Sequence, residues 1–346
     1  ENELKAPGTN EYGRVDRVAG WFLLARMYLN AQTWINENKY QEAYTYATKV
    51  IADGHYPLAS DYREIFLADN NTCKEIIWPL VQDGLRAQSS AGTNFYVKAF
   101  VNGPMDELYK TGVGSRGWGN VRAKVSLVDA FDADDVMFDG NDTWGNNKKD
   151  KRAQFMTALP NQVKDTWDVN MDMTSTFTCG YGYIKWRNVT KEDELSASGD
   201  AYTSIDFPLF RTADAYLMAA EAILRGASGT QSEALGYVNE VRTRAYMSGK
   251  YAKSGVRSDV SGEIGANELD LDFLLLERQK ELASELIRRT DLIRFGKYTK
   301  GNNWDWKNGV RLGEDVDDKY NLFPIPESEL TNNPTLVQND GYKVIK

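Results

Sequence analysis

Residues 268–296 read ELDLDFLLLERQKELASELIRRTDLIRFG, and this stretch decides the predicted fold. Five leucines recur in it at helical spacings: Leu271, Leu274, Leu275, Leu282 and Leu286. The spacing is typical of one apolar helix stripe. Glutamates and arginines lie beside the stripe, and Glu281 and Arg288 are within helical reach of each other, directly or one turn on. The same holds for Asp291 and Arg294. This density of charge predicts a partly buried helix whose guanidinium groups pin neighbouring loops.

Two other parts of the chain predict antiparallel helix pairs. The first pair covers residues 12–34 and 40–52, and the second covers residues 210–226 and 231–246. Small residues at the predicted crossings resemble a tetratricopeptide unit. Isolated pairs cannot close a solenoid, so other parts of the chain must cap them. The inward face predicted for the first helix consists of Val15, Val18, Phe22, Ala25 and Leu29.

Residues 60–206 differ in composition from the helical parts, being rich in Gly, Asn, Asp and Trp. Residues 76–81 and 181–186 predict short strands, and residues 126–131 predict a short helix. The predicted fold class is therefore mainly α, with tetratricopeptide-like helix pairs capped by an irregular, loop-rich domain with minor β structure. The predicted division of the chain is 1–59 (a helical repeat-like pair), 60–206 (an irregular capping and ligand-binding region) and 207–346 (a second pair, the 268–296 helix and a C-terminal strap).

Length and composition exclude several classes of protein. The 346 residues carry a net charge of -9, so no basic footprint indicates a nucleic-acid partner. No apolar run approaches the ~18–20 residues that span a bilayer. Cys73 and Cys179 are predicted to be free, buried thiols rather than a disulfide. His55 is the single histidine, which removes most Ser-His and Cys-His mechanisms.

The sequence gives little support for catalysis or for a cofactor. Carboxylates are plentiful, but no sequence pattern pairs a carboxyl group of raised pKa with an ionised one. No phosphate-binding loop and no nucleophile elbow is present in the sequence. We therefore expect a protein that is not an enzyme and that uses no cofactor and no metal ion. An acidic loop offers hard oxygen ligands, but Met137 stands where an EF-hand loop needs glycine. A calcium site of another type is the alternative to a solvated loop formed by Asp132, Asp134, Asp135, Asp139, Asn141 and Asp142.

Tryptophan is the residue type that most favours a binding function. Trp21, Trp34 and Trp78 lie on predicted helices or a strand and are expected in the core, whereas six others lie in predicted loops or short strands. Trp118 and Trp144 each lie among glycines and short polar residues, where an exposed indole offers a flat face to a sugar ring. We predict that they form a stacking platform with polar groups at its rim: Arg116, Asn120, Asn141 and Asp142. The alternative is that these rings only plug a loop-rich cap.

Three motifs in the C-terminal half resemble those of the SusD/RagB family, which are outer-membrane nutrient-capture lipoproteins of Gram-negative bacteria. The first is ERxxELxxExxRxxDLxRxG at residues 277–296. The second is PLxRxADxYL at residues 208–217, and the third is FPIPxxEL at residues 323–330. A further stretch, Asp150-Lys151-Arg152, resembles the Asp-Pro-Arg of the family with Lys in place of Pro.

The resemblance implies that the protein captures a glycan outside the cell and delivers it to a SusC-like TonB-dependent transporter. It also implies a location at the outer membrane, facing the exterior, through a lipid anchor absent from this chain. The N-terminus, ENELKAPGTNEYGR, shows neither signal peptide nor lipidation cysteine, so we expect a mature, truncated or cleaved form. The alternatives are a peptide-binding member of the same family and a tetratricopeptide scaffold for protein interactions. Tryptophan on the cap favours sugar, whereas polar and basic residues along a helical groove favour peptide.

Overall fold

The computed structural model divides the chain into two compact units, Glu1–Leu286 and Ile287–Lys346. It describes residues 3–101, 106–137, 142–145, 147–158, 162, 164, 179–247 and 261–343. The division differs from the three predicted regions. Both helix pairs and the irregular region belong to the first unit, and the predicted region 207–346 is divided after Leu286.

The secondary structure is mainly helical, as the sequence predicts. The helices are α1 (Arg17–Ile35), α2 (Tyr40–Asp53), α3 (Thr93–Ala99), α4 (Asp106–Tyr109), α5 (Val125–Val128), α6 (Ala133–Val136), α7 (Thr212–Leu224), α8 (Gln231–Met247), α9 (Leu271–Glu281), α10 (Arg288–Arg294) and α11 (Glu327–Asn332). The strands are β1 (Ile76–Leu80), β2 (Phe155–Met156), β3 (Gly182–Tyr183) and β4 (Phe207–Arg211).

The two predicted helix pairs share one apolar core. Asp16 caps α1, because its Oδ1 accepts hydrogen bonds from the backbone N–H groups of Val18 and Ala19 at 2.9 and 3.2 Å. Alanines on α2 and α7 allow the helices to approach closely around a core that includes Phe22, Ala43, Ala47, Ala215, Ala219 and Ala222. Val15 was expected on this inward face, but it lies before α1 begins and is 36 % exposed.

The irregular region contributes two small antiparallel sheets. Strand β1 pairs with β4, and β2 pairs with β3. The predicted strand at residues 76–81 is confirmed as β1, but the predicted helix at residue 210 begins two residues later, after β4. Trp186 is 1 % exposed and stacks on Phe207, with ring centroids 5.6 Å apart. It is therefore part of the core.

The 268–296 stretch is not one continuous helix. Helix α9 ends at Glu281 and α10 begins at Arg288, and between them Ser284 and Leu286 have left-handed backbone angles (φ 61° and 62°). Buried cations donate hydrogen bonds to backbone carbonyl oxygens that would accept backbone N–H groups in a continuous helix. Arg211 Nη2 donates to the Glu281 carbonyl and Lys185 Nζ to the Ala283 carbonyl, both at 2.8 Å. Leu286, expected on the inward stripe, is instead 78 % exposed.

The second unit is held together by polar contacts within its C-terminal segment. Arg289 Nη2 donates to the carbonyls of Tyr320 and Asn321 at 2.9 and 3.0 Å. The side chain of Gln338 donates to the Ile325 carbonyl and accepts from the Ile325 N–H, at 2.9 and 2.8 Å. These contacts fix the tail locally. Its role as a strap over the helices stays a prediction.

No helix in the described part of the chain is both long enough and apolar enough to cross a membrane. Cys73 and Cys179 are free and buried, which confirms their prediction. His55 follows the end of α2 in a turn, as expected.

Candidate functional site

Five carboxylates and five cations form a connected buried network, called here the charge cluster, with members from the irregular region and from β4, α8 and the 268–296 stretch. Arg211 is at its centre, with Nη1 2.9 Å from Glu75 Oε1 and 2.7 Å from Glu281 Oε1. Its Nε lies 2.6 Å from Glu285 Oε2. The cluster consists of Glu75, Asp150, Glu277, Glu281, Glu285, Arg152, Lys185, Arg211, Arg242 and Arg244. Every member is at most 8 % exposed.

The arginines of the charge cluster lower the pKa of the Glu281 carboxyl. Burial by itself raises the pKa of Glu281, but Arg244, Arg211 and Arg152 outweigh it and hold that pKa well below its usual range. Burial lowers the pKa of Lys185 to about 8, although the nearby Glu285 carboxylate acts in the opposite direction. Because the carboxylates are matched by cations that also donate to backbone carbonyls, the charge cluster serves to position the backbone.

The predicted site residues near Trp118 lie on a turn that docks on the end of α3. The N–H groups of Trp118 and Asn120 donate to the carbonyls of Lys98 and Ala99, both at 2.9 Å, and Gly119 N–H donates to the Val101 carbonyl at 2.8 Å. The last carbonyls of a helix lack partners within the helix, so the turn satisfies them. The sequence GSRGWGN therefore acquires a fixed position.

An exposed aromatic pair results from this docking. The Trp118 ring is 6.1 Å from the Phe95 ring, centroid to centroid, with an angle of 61° between the planes. Trp118 is 37 % exposed and Phe95 is 43 % exposed. Arg116 and Asn120 are exposed on the same turn. These four residues, Phe95, Arg116, Trp118 and Asn120, are called here the aromatic site.

Phe95 was not identified from the sequence. It is adjacent to Tyr96 on α3, and Tyr96 packs on Trp186 with ring centroids 5.4 Å apart. Neighbouring residues on a helix point about 100° apart, so Phe95 points away from the direction in which Tyr96 meets Trp186. That geometry was the available signal for an exposed phenylalanine.

Trp144 does not join the aromatic site, which corrects the predicted two-tryptophan platform. It is 8 % exposed and packs against Leu67 and Val189. The guanidinium of Arg187 lies 4.7 Å from its ring centroid, and Arg63 Nη1 donates to its carbonyl at 2.7 Å. A ring enclosed in this way cannot stack on a sugar without a rearrangement of the loop.

The other rim residues predicted beside Trp144 have different outcomes. Asp142 Oδ2 accepts a hydrogen bond from the Asn147 N–H at 2.6 Å and so shapes its own loop. Asn141 lies outside the described residues. A ligand-contacting role for both residues stays a prediction.

The remaining tryptophans confirm the core prediction only in part. Trp21 and Trp78 pack against the helical core, but Trp34 at the end of α1 is 56 % exposed, so its prediction was wrong. Trp304 and Trp306 are half-buried in the second unit. Trp167 lies outside the described residues.

The acidic loop shows no ready metal site in the described part of the chain, where no three His, Cys, Asp or Glu residues are close enough to hold an ion. Asp139 and Asn141 lie outside that part. The Asp135 carboxylate instead accepts hydrogen bonds from the N–H groups of Lys149 and Asp150 at 2.6 and 3.0 Å.

An apolar cavity of about 670 Å³ lies beside Phe95. Its wall includes two exposed leucines, Leu80 and Leu286, together with Tyr96, Phe207 and Leu209. The aromatic site is thus continuous, through Phe95, with an apolar surface that can bury part of a ligand.

Comparison with known proteins identifies the family. The SusD family model matches residues 74–342. The chain is also 32 % identical over 373 residues to starch-binding protein SusD of Bacteroides thetaiotaomicron, covering 99 % of this chain and 63 % of that protein. The chain belongs to the SusD family.

Other similar proteins agree with this assignment. SusD-like protein P25 of Formosa agariphila is 25 % identical over 347 residues, covering 95 % of this chain and 59 % of that protein. The chain therefore spans about three fifths of the length of these curated relatives.

Solved structures share the fold. A SusD-like protein from Bacteroides fragilis superposes with a TM-score of 0.67 at 22 % identity, covering 99 % of this chain and 68 % of that chain. Surface glycan-binding protein A from Bacteroides thetaiotaomicron, solved with laminarihexaose, has a TM-score of 0.63 at 22 % identity, covering 98 % and 67 %. The mainly helical prediction is confirmed by these structures.

Proposed function

We propose that this protein binds a glycan at the aromatic site and does not transform it chemically. The observation that carries the proposal is the exposed pair of Phe95 and Trp118, held on a turn that is fixed to α3. Membership of the SusD family supports it, and one relative is named a starch-binding protein. A structural neighbour was solved with laminarihexaose, so a glycan is a ligand of this fold in at least one protein.

The physical basis of the proposal is stacking between sugar and aromatic ring. The C–H face of a pyranose covers an indole or phenyl ring, and the rim residues Arg116 and Asn120 can hydrogen-bond its hydroxyl groups. By analogy with stacking on nucleobases, one such contact contributes about 1–3 kcal/mol. The backbone that carries the aromatic rings is already fixed in the protein without ligand, so little conformational entropy is lost when the ligand binds.

A glycan array followed by calorimetric titration of the tightest ligand tests this function. We expect saturable binding by the wild-type protein, and loss of most of that binding in the double variant Phe95→Ala/Trp118→Ala. Trp34→Ala is the matched control, because Trp34 is 56 % exposed on α1 and belongs to another surface. If the double variant bound as tightly as the control, the aromatic site would not be the binding site.

We further propose that the protein acts at the outer membrane, facing the exterior through a lipid anchor, and delivers the glycan to a SusC-like TonB-dependent transporter. Family membership is the support for this part. Affinity purification of the full-length protein from detergent-solubilised outer membranes tests it. We expect a TonB-dependent transporter to co-purify in near-stoichiometric amount. Recovery of the protein alone, or from another cell fraction, would contradict this proposal.

Peptide binding is the second candidate, and the cavity beside Phe95 is the observation that favours it. Its wall is mostly apolar, with exposed Leu80 and Leu286, which suits an aliphatic side chain better than a sugar. Leu80→Asp would place a charge in that wall. It should abolish binding of an apolar peptide and leave binding of a glycan on the aromatic site largely unchanged.

A further inference from the structure

Lys98 is a largely buried cation beside the aromatic site. It belongs to α3, one turn after Phe95, and is 6 % exposed. Its ammonium group donates to the carbonyl of Ala201 and lies 5.8 Å from the ring centroid of Tyr202. Neither partner carries a charge. Among the residues that the structure describes, no carboxylate forms an ion pair with Lys98.

The carboxylate of Asp200, whose charge acts on Lys98, is already paired with another cation. Asp200 Oδ1 accepts a hydrogen bond from Arg116 Nε at 3.0 Å, and their side chains are 40 % and 55 % exposed. Burial, and next to it the charge of Arg116, lower the pKa of Lys98, while Asp200 only partly opposes them. Asp200 is thus paired with Arg116 and not with Lys98, and the three side chains together carry one excess positive charge.

This excess is local and contrasts with the rest of the protein. The whole chain has a net charge of -9. Residues 108–128, which include the turn that carries Trp118, contain four basic residues (Lys110, Arg116, Arg122 and Lys124) and no Asp or Glu. On a protein whose net charge is negative, a stretch with four basic and no acidic residues favours the local approach of an anion.

We propose that the glycan bound at the aromatic site carries an anionic group, the carboxylate of a uronic acid or a sulfate ester, and that Lys98 and Arg116 bind this group. The inference rests on the proposed glycan-binding function and adds the class of sugar. Phe95 and Trp118 hold the ring of one sugar residue, and the anion lies between the ammonium of Lys98 and the guanidinium of Arg116.

The physical reason is compensation of a desolvated charge. A cation that is removed from water without a counter-ion is unfavourable, and a bound anion restores the missing electrostatic partner. Charge-assisted hydrogen bonds of this kind are shorter and stronger than those to neutral hydroxyl groups. A neutral sugar would leave Lys98 with its two uncharged partners and would gain nothing from the excess charge.

The test uses a glycan array that contains neutral oligosaccharides, oligogalacturonates with their methyl-esterified counterparts, and dextran with dextran sulfate. We expect binding of a carboxylated or sulfated member and at least tenfold weaker binding of its neutral counterpart. Binding of the oligogalacturonates would indicate a carboxylate, and binding of dextran sulfate would indicate a sulfate ester. If all bound members were neutral, the inference would fail while the proposed function stood. If no member bound, both would fail.

Substitutions then locate the anion on the best charged ligand. Lys98→Met keeps the aliphatic stem, and Arg116→Gln keeps a hydrogen-bond donor; each should weaken binding about tenfold. Asp200→Asn removes the competing carboxylate and should strengthen binding severalfold. Raising the salt concentration from about 50 to about 500 mM should weaken wild-type binding, and should weaken Lys98→Met binding less.

Lys39→Met is the control, because Lys39 is a surface lysine at the start of α2 whose ion pairs are with Glu37 and Glu42. It should bind like the wild type. Each variant is first checked for an unchanged melting temperature. If Lys98→Met did not fold, the other two variants would decide: unchanged binding by Arg116→Gln, or equal or weaker binding by Asp200→Asn, would overturn the inference.

Discussion

At the charge cluster, Arg211 is 1 % exposed and is paired with three glutamates, whereas at the aromatic site the side chain of Arg116 is 55 % exposed and is paired with one aspartate. Both regions combine arginine with carboxylate, yet the buried set fixes the fold, whereas the exposed pair belongs to the site that we propose binds a ligand. Burial and the balance of charge, rather than residue type, separate the two roles.

The largest expected effect breaks the charge cluster. Glu281→Ala removes the carboxylate shared by Arg152, Arg211 and Arg244, and it leaves three buried cations short of a partner. We expect the free energy of unfolding to fall by about 3–5 kcal/mol. Urea denaturation measures this change, and Glu11→Ala, at a side chain that is 77 % exposed, is the control.

Ligand affinity provides the second measurement for Glu281→Ala. The folded fraction should bind the glycan with wild-type affinity, because no member of the charge cluster belongs to the aromatic site. A variant of full stability that had lost its ligand would show instead that the charge cluster is part of the binding site.

The second prediction compares two tryptophans that look equivalent in the sequence. Trp144→Ala should lower the free energy of unfolding by about 3–5 kcal/mol and leave affinity unchanged, because its ring is enclosed in the core. Trp118→Ala should change stability little and weaken glycan binding roughly 5- to 150-fold, which corresponds to about 1–3 kcal/mol. Thermal unfolding measures the stability of both variants, and calorimetric titration measures their glycan affinity. If Trp144→Ala lost affinity and Trp118→Ala lost stability, the roles of the two tryptophans would be reversed.

The third prediction concerns acid stability. Burial raises the pKa of Asp214, but Arg278 and Arg26 outweigh it and lower the value to about 2. A carboxylate whose pKa is depressed in the folded protein stabilises it above the pKa of the unfolded chain, about 4. This contribution, about 2 kcal/mol, should disappear as the pH falls from about 4 to about 2.

Asp214→Asn is the variant that checks this assignment. Asn cannot titrate, so the variant should be less stable than the wild type at pH 7, and the difference should shrink towards pH 2. Urea denaturation at several pH values measures the difference. A constant difference across this range would mean that another carboxylate controls the acid transition.

The helical frame could be predicted because its signals are local. The periodic apolar residues of α1, α2, α7 and α8 give their positions to within a few residues, and the glutamates of residues 277–285 are buried with cationic partners. The motifs at residues 208–217, 277–296 and 323–330 identified the family.

The aromatic site could be predicted only in part because its geometry depends on distant residues. The interior position of Trp144 follows from Arg63 and Arg187. Their guanidinium groups donate hydrogen bonds to the backbone carbonyls of Trp144 and Thr143. These arginines are more than 40 residues away in the chain. Nothing in the local sequence DGNDTWGN distinguishes a tryptophan held in this way from an exposed one.

The break after α9 has the same origin, and it leads to the smallest predicted effect. Arg211 and Lys185 hold the carbonyls of Glu281 and Ala283, so the chain turns and leaves Leu286 with a left-handed backbone and a 78 % exposed side chain. A leucine is strained in this conformation, and asparagine tolerates it better. Leu286→Asn should therefore raise the free energy of unfolding by about 0.5–1 kcal/mol.

Leu286→Ala separates the effect of the left-handed backbone from the effect of the exposed apolar side chain. Alanine removes the exposed apolar side chain but keeps the backbone strain, so its stability should stay close to that of the wild type. Urea denaturation of the three proteins gives the order, with the asparagine variant the most stable. If Leu286→Asn were instead destabilised, the side chain of Leu286 would contribute packing in the wall of the cavity that it shares with Leu80 and Phe95, and that wall would be more tightly formed than its exposure suggests.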